Sequence, residues 1–238
     1  MNKKMGCKTK VWGPWAWQYL HGLCKWLDTH AHNRSLAIRV LAALVWIMPC
    51  IYCRRSASEF IKPPMLNPKL VGKPGGSLTF RAWAYNLHER VNKKLFLQDV
   101  EKDADLTYWL NHKTTLSHVK YIPAPSKKWV LALLQFYSYV LCDYPEESTK
   151  DDMRRKTEIN RFLKNIGKLL DFQPLLDAVS NTLFTSITLD QRLHYAYTIM
   201  CQVLPKECEC GEKSFGEQCK LAIVGGCKKI DPAKAGCH

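Results

Sequence analysis

Long apolar runs are scarce in this chain, and the longest, Val40 to Cys53, contains Pro49 and ends against Arg54-Arg55. That is too short to cross a bilayer, which takes about 20 apolar residues. Met1-Asn2-Lys3-Lys4-Met5-Gly6 leads into no apolar stretch of the kind a secretory leader carries. The expectation is a chain made and kept in the cytosol, with no membrane partner. Acidic residues are also few, 21 Asp and Glu against 35 Lys and Arg, for a net charge of +14. Such a balance suits a nucleic acid. Yet the basic residues are spread through every segment, with small clusters only at Lys127-Lys128 and Arg154-Arg155-Lys156, and no zinc-finger, KH or RRM signature accompanies them. No nucleic-acid partner is expected.

Cysteine, by contrast, is plentiful. Eleven are present, five of them in the tail from Cys208 onward. Cytosolic thiols are normally kept reduced, so a dedicated thiol chemistry is the easier explanation for that number. Cys50-Ile51-Tyr52-Cys53 holds two of them two residues apart. With Arg34 to Met48 as one helix and Cys53 to Ile61 as the next, Pro49 breaks the chain and the pair falls at a helix N-terminus. Unsatisfied N–H groups and the helix dipole favour a thiolate there, and Arg54 and Arg55 push the same way. The spacing alone fits a redox couple, half a zinc site, or a buried apolar pair.

Helical periodicity runs through the rest of the first half. Trp15, Tyr19, Leu23 and Leu27 recur at four-residue steps, which predicts a helix over 15–29 with Trp17, His21 and Cys24 on a second stripe. His21 there is either a hydrogen-bonded core histidine or a ligand contact. Leu36, Val40, Leu44 and Ile47 build a helix apolar over much of its surface, suited to a bundle interior. From Leu78 to Phe96, Trp83, Leu87, Val91 and Leu95 share one face while His88 and Asn92 lie one turn apart on another, where they form either a wall for a planar ligand or a solvated stripe.

Three blocks in order, Trp12-Gly13-Pro14-Trp15-Ala16-Trp17-Gln18-Tyr19-Leu20-His21, then Cys50-Ile51-Tyr52-Cys53, then Leu87-His88-Glu89-Arg90-Val91-Asn92-Lys93-Lys94-Leu95, resemble the Erv/ALR family of FAD-linked sulfhydryl oxidases. The resemblance spans about residues 10 to 112. It implies an all-α fold, a four-helix bundle with a short fifth helix at Asp103 to His112, binding FAD within a domain at 8–115. Gly13, Trp17, His21, Cys53, His88, Val91, Asn92, Lys94 and Leu95 would then hold the cofactor, with Lys94 near its phosphates and Trp109 over the adenine. Cys50 would take the substrate thiol, as the more accessible sulfur, and Cys53, buried one turn along, would face the flavin. Protein dithiols are the implied substrates, molecular oxygen the acceptor and hydrogen peroxide the product. A homodimer is common in the family. The absence of a sorting signal and the extra helices favour the kind encoded by large DNA viruses, acting in the host cytosol or virion, over the mitochondrial intermembrane space. Glu89 stands where many members have Asn, Tyr85 where many have a structural cysteine, and Pro14 where an arginine is frequent.

Beyond Pro125 the motifs end. Helical segments at 127–143, 149–170, 174–184 and 189–204 predict a second helical domain over 124–204, with Thr149 and Thr188-Leu189-Asp190-Gln191 as N-terminal caps. Its aromatic residues, Trp129, Phe136, Tyr137 and Phe162 among them, read as core. The tail 205–238 carries Cys208 and Cys210, which could serve as an electron shuttle, join a stapled or zinc-bound knot with Cys219, Cys227, Cys237 and His238, or do nothing; the spacings fit no standard zinc pattern, so no metal is expected. Two rivals stand beside the oxidase: a zinc-stapled helical binding module, and a thioredoxin-like reductase, which would need strands beside Cys50 that the pattern lacks.

Overall fold

Pro14 does not end the first helix, which runs Thr9–His30 (α1) and so begins a turn and a half before the periodicity predicts. A proline inside a helix forfeits one backbone hydrogen bond. The turn ahead of it is held by packing instead: Trp12 is buried, its ring 6.0 Å from that of Phe136, and it donates from Nε1 to the Cys7 carbonyl at 3.2 Å. The computed structural model describes residues 7, 9–30, 33–61, 71–72, 78–99, 121–146, 149–182 and 188–205. Among these the chain is all-α, with no strand.

The helices that follow are α2 (Arg34–Ile47), α3 (Ile51–Phe60), α4 (Phe80–Asp99), α5 (Lys127–Cys142), α6 (Lys150–Leu170), α7 (Gln173–Asn181) and α8 (Leu189–Val203). Side-chain caps set several starts. Asn33 accepts the Leu36 amide, Ser126 the Trp129 amide and Thr149 the Asp152 amide. Thr188 and Gln191 form the full capping box read from the sequence. Asp28 closes the start of α4 from a distance, its carboxylate accepting the Phe80 and Arg81 amides at 2.7 and 3.2 Å.

α1 packs against α4 and α5, α2 against α3 and α6, and α5 against α8, while α7 bridges α6 and α8. Residues 124–204, expected as a domain of their own, share one buried cluster with the first helices. Tyr19 on α1 stacks on Phe136 of α5 at 5.8 Å and meets Phe162 of α6 edge-on, and Trp129 donates to the Tyr19 carbonyl at 2.8 Å. Arg155, which the sequence places in a small basic cluster with Arg154 and Lys156, is buried. Among the described residues no helix is long and apolar enough to cross a membrane.

Candidate functional site

The end of α2 and the start of α3 carry the dithiol. Helix α3 starts two residues earlier than expected, at Ile51, so Cys50 becomes its N-cap. Its backbone is extended and its sulfur accepts the Cys53 amide at 3.3 Å. A sulfur in that place answers one of the orphan N–H groups of the first turn. Both residues stand as thiols. Cys50 is lowered from its ordinary range by the Cys53 side chain, by the Cys53 and Tyr52 amides and by Arg54, against the opposing effect of burial. Cys53 is raised, because its thiol donates to Cys50 and is buried, with Thr9 and Lys94 pulling the other way. Charge on the reduced pair therefore settles on Cys50.

The accessibility read from the sequence is reversed. Cys50 is fully buried, while Cys53 is only partly so. Next to Cys50, the Cys7 amide donates to the Pro49 carbonyl at 2.6 Å, and Cys7 is itself fully buried. Cys7 thus lies against the turn that holds Cys50.

Cys53 lines a cavity walled by Gly13, Trp17, Leu44, Tyr52, Leu87, Val91, Lys94 and Leu95, with Thr9, Trp12, Met48, Ser56, Phe60 and Phe136 among the remainder. With its open mouth it contains about 830 Å³ of empty space, and the centre of a water-sized sphere can reach about 90 Å³ of that. The enclosed part is thus smaller than the roughly 300–1,000 Å³ of small-molecule pockets, and most of the space is open to solvent. Few lining groups are polar. Thr9 Oγ1 lies 3.4 Å from the Cys53 sulfur, and Lys94 hydrogen-bonds Ser56 across the space between α4 and α3.

Gly13, Trp17, Cys53, Val91, Lys94 and Leu95, all named from the sequence, meet at this cavity. His21 and His88 do not line it. They stand behind Trp17, whose ring stacks on His88 at 3.8 Å, while His21 Nε2 and His88 Nδ1 share a hydrogen bond of 2.8 Å. Burial lowers both imidazoles to about 4, with His21 adding to the effect on His88. His21 Nδ1 is buried without a partner among the described residues. Asn92 also stays off the wall and donates to Glu89 at 3.4 Å, so the residue standing where many Erv/ALR members have Asn occupies it.

Sequence reasoning missed Thr9, whose contact with Cys53 spans forty-four positions, and Phe136, taken for core alone. Neither carries a local signal. Trp109, the helix at 103–112, Cys208 and Cys210 lie outside the described residues. Cys201, on α8, is disulfide-bonded. Among the described residues, no group of three or more His, Cys, Asp or Glu side chains could hold a metal ion. No family model, no curated protein and no solved structure matches this chain.

Proposed function

We propose that this protein is an FAD-dependent sulfhydryl oxidase of the Erv/ALR kind, forming disulfides in protein dithiols at Cys50 and Cys53. The observation that carries the reading is Cys53 lining an apolar cavity with its partner sulfur one turn away at a helix N-terminus. The cavity fits a flavin in character. Its walls come from α1, α2, α3 and α4, Trp17 offers an aromatic surface, and Lys94 supplies a cation for phosphate. Trp17 is already stacked on His88, so a ring system meets Trp17 only on the side the histidines leave open. The histidines then back the wall and do not form it. Bound there, FAD would take two electrons from the thiols and pass them to oxygen, giving hydrogen peroxide.

The chain's own part is thiol exchange. Starting from the oxidised pair, a substrate thiolate bonds to the Cys50 sulfur, the Cys50–Cys53 bond breaks, and Cys53 leaves as a thiolate beside Thr9 and the charge of Lys94. A second substrate thiolate then displaces Cys50, releasing the substrate disulfide and leaving the pair reduced. The depressed Cys50 thiol suits that step, because a low-pKa sulfur is the faster leaving group. Since Cys50 is fully buried, substrate reaches it only when the packing around it opens.

Oxygen uptake with a dithiol tests the reading. Cys53→Ser is expected to keep bound FAD and lose turnover on the order of 10²-fold or more, as expected when a covalent participant is removed. Uptake that survives the change would exclude the role given to Cys53, and a colourless protein holding zinc would favour the binding-module reading.

A further inference from the structure

The turn between α2 and α3 is held from the far side of the molecule. Arg54 Nη1, just past the dithiol, donates to the Met48 carbonyl at 2.6 Å and to Asp143 Oδ2 at 2.7 Å. Asp143 is the C-cap of α5. The same carboxylate oxygen accepts Arg155 Nη2 of α6 at 2.9 Å, and Arg155 also donates to the Asp143 carbonyl at 2.9 Å and, from Nε, to the Trp46 carbonyl at 3.0 Å. Arg154 lies over the Trp46 ring at 4.2 Å. The three charged side chains are nearly enclosed, with exposures of 14% for Arg54, 10% for Asp143 and 9% for Arg155. Two carbonyls at the end of α2, of Trp46 and Met48, thus find their partners through a single carboxylate shared by two guanidinium groups.

We propose that Asp143, anchored by Arg155, is a positioning residue for the dithiol: it fixes Arg54 on the Met48 carbonyl and so holds the turn that keeps the Cys50 sulfur on the Cys53 amide. This gives the helices beyond residue 124 a task at the redox pair. Without the carboxylate, two buried cations would face each other, and Arg54 already opposes the charge of Arg155. Arg54 would swing to solvent, releasing Met48 and loosening the turn. The groups that bear on Cys50 are Cys53 and Arg54 on α3, Cys7 against Pro49, and, one guanidinium further, Asp143 and Arg155. Charge counting alone predicts the reverse of positioning, since deleting a nearby carboxylate makes a thiolate easier to form. The direction of change separates the two.

The proposal rests on Cys50 and Cys53 being the working pair. Its test reads the thiols alone, in the reduced full-length chain. Alkylation by iodoacetamide is followed against pH, and fragment-ion mapping separates Cys50 from Cys53. Asp143→Asn is expected to raise the Cys50 midpoint by about one pH unit, the scale of losing a neighbouring cation. Arg54→Gln should do the same, and the double variant should go no further than Arg54→Gln. An unmoved or lowered midpoint in Asp143→Asn, or shifts that add in the double variant, would overturn the proposal. If Asp143→Asn does not fold, Asp143→Glu decides: it keeps the charge and displaces the carboxylate by one methylene, so a raised midpoint supports positioning and an unmoved one refutes it. A colourless, inactive protein with the raised midpoint would sink the oxidase reading and not this one. An active flavoprotein with an unmoved midpoint would sink this one alone.

Discussion

His21 and His88 share a hydrogen bond in surroundings that exclude charge, and that makes the fold acid-sensitive. Unfolded, each imidazole binds a proton near pH 6.5. Folded, each binds it only near 4, chiefly because of burial. Between those values the unfolded chain holds more protons, so stability is fully present above pH 6.5 and drains away as the pH falls toward 4. By pH 5 the loss is expected to be on the order of 2 kcal/mol for each imidazole, about 4 for the two, seen as a falling Tm whose slope His88→Phe should roughly halve. A wild-type Tm unchanged from pH 6.5 to 5 would contradict the burial of the pair. At this scale the sequence was informative about membership and poor about arrangement. Spacing placed Trp17 with His21, and His88 with Asn92, but each pair lies on its own helix. Which of them faces the cavity depends on how α1 meets α4, a contact some seventy positions apart in the chain. For the same reason the burial of Cys50 was illegible: it sits in the core cluster beside a turn whose Pro49 carbonyl is held by Cys7, and no local pattern links the two.

Gly22 shows how closely two elements approach. A Cβ built there would lie 2.4 Å from the Ile122 carbonyl oxygen and 2.4 Å from Trp129 Cδ1, on the α1–α5 contact. Gly22→Ala should improve local helix propensity by up to about 1 kcal/mol, yet the steric cost of overpacking, about 1–3 kcal/mol, should win. Net destabilisation in a urea melt is the expected outcome; a more stable variant would mean that α1 and α5 do not meet as described. Helix existence was legible from periodicity, and the starts of α6 and α8 from Thr149 and Thr188, because caps are local chemistry. The start of α1 was not, since Pro14 argued locally against a helix that Trp12, against Phe136, and Thr9, against Cys53, hold through distant partners. The burial of Arg155 was illegible for a similar reason. Its burial follows from the carboxylate of Asp143, twelve positions earlier, and from a carbonyl on α2.

At the scale of the molecule, one core joins helices that the sequence divides at the proline-rich stretch near 123–125. Composition shows where motifs stop; it does not show that Tyr19, Phe136 and Phe162 will pack together. Phe136 reaches the cavity from α5, and Asp143 with Arg155 grips the turn beside the dithiol, so the later helices bear on the site from two directions. The central claim is that Cys53 delivers electrons to a flavin held in the apolar cavity. Visible absorption of the purified protein, titrated with a dithiol in the absence of oxygen, tests it most directly. The expected result is a yellow protein whose flavin band bleaches on dithiol addition in the wild type and persists in Cys53→Ser. A colourless protein, or a flavin band that bleaches equally fast without the Cys53 sulfur, would contradict it.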